Sequence, residues 1–368
     1  MKRAERFRTL YGWIKQQKRP EAAGLRQPLG RPEGMAWVLL GFIMTVLVFT
    51  GCGKGPAKES ETRIGTVPDK NLIVVGVSQI GSESVWRTAN TASIQSVFTQ
   101  ENGYFLIFKN ARQKQENQIK ALRSFISQRV DYIVFSPITE RGWDTVLQEA
   151  KEAGIPVILI DRKVKVRDSS LYTAWIGPDF FNEGRMAGEA LEECLKRQGR
   201  QDEDIHIVVL KGTEGSTSAI GRTTGFSEIA QAHENWNILE QVDAEFTTAK
   251  GQEEMERLLR KHETIDVLIS QNDDMTFGAL EAIHEAGKTA GEDGDIIVIS
   301  FDAVKNALKL VEEGSITADV ECNANQGEYI EEVIRKLEDH KVVPKLNFVP
   351  EEVFTKENVR ERLDEYGQ

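Results

Sequence analysis

The sequence predicts an α/β protein built from two doubly wound lobes. From Asn71 onward, short β-branched runs alternate with longer amphipathic stretches, the order expected when helices connect parallel strands. Several of these runs are apolar on both faces, as in strands that helices cover on each side. About 300 residues with some ten strands are too many for one such sheet and suit two.

Eight runs have the strand pattern, and in chain order they are Leu72–Ser78, Tyr104–Phe108, Tyr132–Ser136, Val157–Asp161, Ile205–Leu210, Val267–Ser270, Ile296–Phe301 and Ile316–Val320. Helical periodicity between them predicts helices over Glu116–Gln128, Trp143–Ala153, Glu183–Arg197, Glu253–Lys261 and Met275–Ala286. Gly154 and Gly287 come just after helical segments, and Pro156 opens a strand. These residues are typical of helix ends and strand starts, and they lie at boundaries between the predicted helices and strands.

The first 52 residues differ from the rest in charge. They contain nine Lys/Arg and three Asp/Glu, a net charge of +6. The whole chain carries −12, so the residues after 52 carry −18. A basic stretch precedes the apolar run MAWVLLGFIMTVLVFT at 35–50, and small residues follow it, which is the pattern of an export signal. The run is shorter than the roughly 20 residues that span a bilayer, so a signal is the better interpretation.

Phe49-Thr50-Gly51-Cys52 resembles the lipobox of bacterial lipoproteins, with Phe49 in place of the usual Leu. The resemblance implies that residues 1–52 are an export signal with a lipobox and that acylated Cys52 anchors the protein at a membrane surface. The alternative is an uncleaved membrane anchor in which Cys52 is incidental. Residues 53–70 are polar and contain Gly and Pro without apolar periodicity, so we expect a flexible tether there.

Composition excludes several classes of protein. The chain is 40% hydrophobic and 28% charged, which is typical of a soluble globular protein and not of a disordered or polytopic membrane chain. Three cysteines are too few for a disulfide scaffold, and Cys194 and Cys322 are expected to be free thiols. The acidic total argues against a nucleic-acid partner, because phosphate must be neutralised by Lys and Arg.

Charged, amide and aromatic side chains follow several of the predicted strands, where open parallel sheets bind their ligands. They are Glu83, Trp86 and Arg87 after the first strand, Asp161 and Arg162 after the fourth, Arg222 in the helix after Lys211–Gly215, and Asn272, Asp302 and Glu321 at later strand ends. Charged and amide groups form paired hydrogen bonds with neighbouring hydroxyls, and an aromatic face covers the C–H groups of a sugar ring. The pattern predicts a carbohydrate-binding cleft.

Structural interpretations compete with this one. Asp161, Arg162 and Asp302 are equally consistent with helix caps or an ion pair, and at least one Asp of Asn272-Asp273-Asp274 is expected to cap a helix. Arg222 alone would suggest a solvated helix face. Trp143 and Trp175 are expected to be packing residues.

A resemblance favours the cleft. Residues 71–354 resemble the periplasmic sugar-binding proteins of ABC transporters, of the ribose/galactose type, and within that family are most similar to galactofuranose binders. The matching strings are VGVSQIGSESVWR (75–87), RQKQENQIKALRSF (112–125), LIDR (159–162), GTEGSTSAIGRTTGF (212–226), QNDDM (271–275) and FDAV (301–304). They occur in the family's order over nearly all of the chain after the tether.

The resemblance implies two Rossmann-like lobes joined by three crossovers, the type I periplasmic binding protein fold. It implies an N-terminal lobe of 71–176 plus 322–350 and a C-terminal lobe of 177–321 plus 351–368. It also implies that the residues named after the strands contact the sugar, that Phe246 does so as well, and that Gln113 and Gln115 lie in a turn near the cleft. The sequence departs from the family at Cys322-Asn323-Ala324-Asn325, which replaces a segment usually containing Pro.

We therefore expect a lipid-anchored, monomeric protein on the outer face of the cell membrane, or on the periplasmic side where there is an outer membrane. It would bind a monosaccharide and deliver it to an ABC permease and ATPase; the alternative is a protein that reports the sugar to a membrane histidine kinase. No catalytic activity, cofactor or metal is expected, because G-x-S-x-G, H-E-x-x-H and P-loop patterns are absent. A transcription regulator of this fold would need a helix-turn-helix where the apolar run stands.

Overall fold

Two six-stranded sheets organise residues 72–365, the part of the chain that this computed structural model describes. The strands are β1 Ile73–Gln79, β2 Tyr104–Asn110, β3 Tyr132–Phe135, β4 Val157–Ile160, β5 Ala174–Gly177, β6 Ile205–Lys211, β7 Trp236–Asp243, β8 Val267–Ser270, β9 Ile297–Asp302, β10 Ala318–Glu321, β11 Leu346–Phe348 and β12 Val353–Thr355. The first sheet has the order β11-β5-β4-β3-β1-β2, and the second has the equivalent order β12-β10-β9-β8-β6-β7. All neighbouring strands are parallel except β12, which is antiparallel to β10.

Helices cover both sheets. They are α1 Val85–Val97, α2 Gln115–Gln128, α3 Asp144–Glu152, α4 Phe180–Gln198, α5 Thr217–Ala230, α6 Thr248–Lys261, α7 Asp273–Glu285, α8 Lys305–Glu313, α9 Gly327–Glu338 and α10 Val359–Glu365. Side-chain oxygens cap several of them; Ser84 accepts the amide of Arg87 at the start of α1, and Asn272 accepts that of Met275 at the start of α7.

The central strands are buried on both sides, as the continuous apolar runs predict. In β3, Tyr132 and Val134 pack into one hydrophobic cluster, whereas Ile133 and Phe135 pack into another on the opposite face of the sheet. Alternating side chains of a strand point to opposite faces, so each strand contributes to two cores. Trp143 and Trp175 are fully buried, so both are the packing residues that the sequence predicts.

The chain passes three times between the sheets. The first passage follows β5, the second follows β10 and the third connects β11 to β12. We call the first sheet with α1, α2, α3 and α9 the first lobe, and the second sheet with α4 to α8 and α10 the second lobe. The predicted fold class, two doubly wound α/β lobes joined by three crossovers, is confirmed.

Four strands were not among the predicted runs. β11 and β12 have only three residues, too few to display a periodicity. β5 has four residues, as the predicted β3 and β4 have, so its length does not explain its absence from the predicted runs. β7 lies at a sheet edge and is half-buried, so its polar residues interrupt the apolar pattern.

The predicted export signal, Cys52 and the tether lie outside the described residues. Within residues 72–365 no helix has the length and apolarity needed to cross a membrane. Cys194 and Cys322 are free, buried thiols, as expected.

Candidate functional site

A cavity of about 30 Å³ lies where the carboxyl ends of strands from both sheets meet. Thirteen residues line it: Glu83, Ser84, Trp86, Arg87, Asp161, Arg162, Phe180, Ser218, Arg222, Phe246, Asn272, Asp302 and Cys322. Nine of them are residues that the sequence places at the cleft. The volume holds about two water molecules, so side chains of the two lobes nearly fill the space between them.

The first lobe contributes an arginine held by two carboxylates. Because Ser84 caps α1, Trp86 and Arg87 lie in the first turn of that helix and face the cavity. Arg87 Nη1 donates to Asp161 Oδ2 at 2.7 Å, and its Nε donates to Glu83 Oε1 at 3.2 Å. Burial lowers the pKa of Arg87, but the charges of Asp161 and Glu83 outweigh that effect and leave the pKa above its ordinary value. Arg87 therefore remains charged.

Asp161 and Arg162 occupy the turn after β4. Asp161 has a left-handed backbone with φ of 58°, and Ser136 donates its hydroxyl to Asp161 Oδ2 at 2.8 Å. Arg162 donates from Nη1 to the carbonyl of Ile138 at 3.0 Å, while its Nε is buried without a partner among the described residues. Burial, then the charge of Arg87, lower the pKa of Arg162 to about 10. Arg162 therefore lines the cavity with one donor of its guanidinium unpaired.

The second lobe contributes Arg222, which three partners fix in position. Its Nε donates to Glu183 Oε2 at 2.5 Å, its Nη1 donates to the carbonyl of Gln271, and its Nη2 lies 3.3 Å from Asp302 Oδ1. Burial lowers the pKa of Arg222, but the charge of Glu183, with smaller contributions from Cys322 and Asp302, raises it above its ordinary value. Arg222 therefore belongs to a buried ion cluster and not to a solvated helix face.

Phe246 and Asp302 have uncommon backbone conformations. Their φ angles are 59° and 107°, and such positive values in non-glycine residues cost roughly 1–3 kcal/mol and cluster at functional sites. Gly212 makes room for the Phe246 ring, because a Cβ there would lie 1.7 Å from the ring carbon Cζ. The Arg162 guanidinium lies 5.3 Å from the centre of the same ring, so the two lobes meet through this pair.

The cap of α7 is Asn272, and not one of the two aspartates that were predicted to include a cap. The Asn272 side-chain oxygen accepts from Met275 at 2.9 Å while the residue also lines the cavity. Asp273 instead accepts from Ser300 and the amide of Val304. Asp274 accepts from the amide of Val85, in the other lobe, at 2.9 Å.

Glu321 lies outside the cavity lining. It ends β10, where its amide donates to the carbonyl of Glu352 and its carboxylate accepts a hydrogen bond from Arg362. The next residue, Cys322, lines the cavity instead, because successive side chains of an extended segment point to opposite sides. Gln113 and Gln115 also lie outside the lining; Gln115 bonds to Thr139 and to the carbonyl of Arg141.

Sequence reasoning did not find Ser84, Phe180, Ser218 or Cys322 in the lining. Phe180 follows the unpredicted β5, and Ser218 lies in the first turn of α5, one turn before Arg222. Glu183, which holds Arg222 from α4, was also missed, since an acidic residue in a helix carries no distinguishing signal. Glu183 could be recognised as the partner of Arg222 only from the folded structure, because the two residues lie on different helices.

Direct hydrogen bonds join the lobes at the rim of the cavity. Besides the Val85–Asp274 bond, the amide of Lys163 donates to Thr217 Oγ1 at 3.0 Å, and the amide of Glu140 donates to the carbonyl of Gly215 at 3.2 Å. The lobes are therefore in contact, and the cleft between them is closed.

Comparison with known proteins agrees with this geometry. A family model described as a periplasmic binding protein domain matches residues 75–340. The galactofuranose-binding protein YtfQ of Escherichia coli is 36% identical over 296 residues, which cover 79% of this chain and 91% of that protein.

Solved structures are similar over the same region. A Mycobacterium smegmatis protein in complex with β-D-fucofuranose is 40% identical, with a TM-score of 0.76 over 80% of this chain and 95% of that one. The fructose-binding periplasmic domain of a hybrid two-component system is 26% identical, with a TM-score of 0.72 over 80% of this chain and 94% of that one.

Proposed function

This chain belongs to the periplasmic binding protein family, among its sugar-binding members, and on that premise we propose that it binds a furanose monosaccharide between its lobes and delivers it to an ABC importer. The observation that carries the proposal is the cavity, where three buried arginines, three carboxylates and three aromatic rings converge from both lobes. This is a donor, acceptor and apolar set that fits sugar hydroxyls and ring C–H groups.

Unpaired atoms in two residues of the cavity lining support hydroxyl recognition. Glu83 Oε2 is buried without a hydrogen-bond partner among residues 72–365, and so is Arg162 Nε. A sugar hydroxyl both donates and accepts hydrogen bonds, so it is able to donate to Glu83 Oε2 or to accept from Arg162 Nε. A ligand lacking one such hydroxyl leaves a buried polar group unpaired, at a cost of about 1–3 kcal/mol. We infer that Trp86, Phe180 and Phe246 supply the apolar contacts.

Closure couples binding to a change of shape. A sugar that contacts both lobes stabilises the closed form by the contacts it makes only there. We propose that the moving bodies are 71–176 plus 322–350 and 177–321 plus 351–368, with the three passages bending between them. Because the closed cavity has room for about two waters, a sugar must enter with the lobes apart and displace part of the contacts among the side chains.

Ring-locked ligands test the furanose assignment. We expect calorimetric titration of the purified full-length chain to give saturable binding of 1,4-anhydrogalactitol, a furanose ring, and binding at least tenfold weaker of 1,5-anhydrogalactitol, a pyranose ring. Both lack only the anomeric hydroxyl, so the comparison isolates ring form. Equal affinities would reject the furanose assignment, and no response to these ligands or to free galactose, fucose, arabinose and ribose would reject sugar binding.

The similarity to the periplasmic domain of a two-component system favours one second candidate, a sugar sensor that signals to a membrane histidine kinase. Deletion of the gene separates the two. Import predicts loss of uptake of the radiolabelled sugar, whereas sensing predicts normal uptake with loss of the transcriptional response to that sugar.

We also propose that Cys52 carries the lipid anchor and that the protein acts at the outer surface of the cell membrane. The support is the basic, apolar and small-residue order of 1–52 that ends in this cysteine. Growth with a radioactive fatty acid is expected to label the wild type and not Cys52→Ala. Equal labelling of both would exclude the assignment.

A further inference from the structure

Three metal-ligating side chains meet where the three passages between the lobes converge. Glu183 lies in the first turn of α4, just after the first passage; Cys322 belongs to the second passage and Glu351 to the third. The Cys322 sulfur and one carboxylate oxygen of each glutamate all lie within 4.8 Å of one another. No spacing motif predicts this group, because its members are far apart in the sequence.

The charges of this cluster are not balanced. Glu183 is fully buried, and its Oε2 accepts from Arg222. Its Oε1 and the buried Oε1 of Glu351 accept no hydrogen bond from a nitrogen or hydroxyl donor among residues 72–365, and the two carboxyl groups face each other. The single charge of Arg222 faces the carboxylates of Glu183, Glu351 and Asp302, a sum of −2 when all three are ionised. Such a group needs a cation to remain ionised.

We propose that Glu183, Cys322 and Glu351 bind one divalent metal ion of the zinc type. One sulfur and two carboxylate oxygens form a donor set that Zn²⁺ accepts, at about 2.3 Å from sulfur and 2.0–2.2 Å from oxygen. Mg²⁺ and Ca²⁺ prefer all-oxygen sites, so the thiol disfavours them. Cys322 also lines the cavity, so we infer that the ion reaches the site from the cleft.

A metal here would act on the hinge and on the sugar site together. It would join the three passages and hold the glutamate whose other oxygen positions Arg222. We infer that metal occupancy stiffens the hinge and changes sugar affinity. This consequence rests on the proposed function, whereas metal binding itself does not.

Cobalt spectroscopy tests the site without reference to sugar. The chain has three cysteines, so replacing Cys52 with Ala leaves Cys194 and Cys322 as the only thiols. After chelator treatment, we expect this full-length protein to bind one Co²⁺ per chain with the near-ultraviolet absorption of a cobalt–thiolate bond, which Zn²⁺ then displaces. The band is expected to disappear in Cys322→Ser. In Glu351→Gln the apparent affinity for Co²⁺ is expected to fall at least tenfold. The band is expected to remain in the matched control Cys194→Ser.

Several results would overturn the proposal. Absence of the band in the parent protein would mean that the facing carboxyl groups share a proton instead of a metal, and persistence of the band in Cys322→Ser would place the metal elsewhere. Circular dichroism checks that each variant folds. If Cys322→Ser does not fold, the fall in Co²⁺ affinity in Glu351→Gln remains the test of the site. A sugar titration of the same samples separates failure of the metal site from failure of the proposed function.

Discussion

Arg162 differs from the other two arginines of the cleft in its unused donor. Arg87 and Arg222 are held by carboxylates, whereas Arg162 bonds through Nη1 to a carbonyl and its Nε is unpaired. We therefore expect Arg162→Gln to weaken sugar binding by about 10–100-fold, since a hydrogen bond to a charged group contributes roughly 1.5–3 kcal/mol. We expect the melting temperature to stay the same or rise, because no ion pair is lost. Calorimetry and thermal melts measure both quantities.

A matched control is Arg123→Gln, which removes an exposed arginine paired with Glu149 in the first lobe. It is expected to leave sugar affinity unchanged. A normal affinity in Arg162→Gln would contradict the role assigned to the free Nε.

The lining of the cavity was predictable at the residue level where a charged or amide side chain follows a strand. Asp161, Arg162, Asn272 and Asp302 stand after strands that the sequence identifies, and all four line the cavity. Cys322 was not predictable in this way. A shift of one residue decides which side chain of an extended segment faces the cavity, and Glu321 is the more polar of the two.

Helices α4 and α5 carry the second lobe's part of the site, and their packing depends on glycine. A Cβ at Gly225 would lie 1.9 Å from the carbonyl oxygen of Phe181, so the helices approach closely only where a side chain is absent. We expect Gly225→Ala to force α5 outward and lower the free energy of unfolding by about 1–3 kcal/mol. Because Arg222 lies one turn earlier on α5, sugar affinity is expected to fall as well.

Thr224→Ala is the control, since Thr224 is exposed on the same helix. Denaturant unfolding and sugar titration compare the two variants. Equal stability of Gly225→Ala and the wild type would show that α5 is not held by this contact.

Buried strands were mostly predictable, with β5 as the exception, and the strands at sheet edges β7, β11 and β12 were not. The eight predicted runs all contain or overlap a strand of the structure, because burial on both faces requires a continuous apolar run. β11 and β12 acquire their structure from the edge of an existing sheet, so their sequences show little of it. The β-strand propensity of three residues is weak, so pairing with the neighbouring strand decides whether they form a strand.

At the scale of the whole molecule, the buried carboxyl group of Asp319 links the free energy of unfolding to pH. Asp319 is fully buried; its Oδ1 accepts the amide of Ala303, and Asp273, Asp302 and Arg222 are the charged groups near it. Burial, then the charge of Asp302, raise the pKa of Asp319 from 3.8 to about 8. The folded protein therefore holds this proton more tightly than the unfolded chain does.

A group whose pKa is raised on folding stabilises the protein below its unfolded pKa and loses that effect as the pH rises through its folded pKa. We expect this contribution to be complete below pH 3.8 and to decline toward pH 8, by at most about 1.4 kcal/mol per pH unit. Asp319→Asn should remove this slope. Urea unfolding at several pH values measures it, and parallel curves for wild type and variant would refute the assignment.

The late strands of each sheet have a consequence for synthesis and export. The first lobe needs α9 and β11, and the second needs β12, yet these elements come after residue 326. A chain that emerges from the ribosome in order cannot complete the core of its first lobe until most of the second lobe has been made, although domains usually fold as they appear. The polypeptide therefore stays incompletely folded until translation is nearly finished. That delay suits a protein that must pass as an open chain through a membrane channel, as its first 52 residues predict.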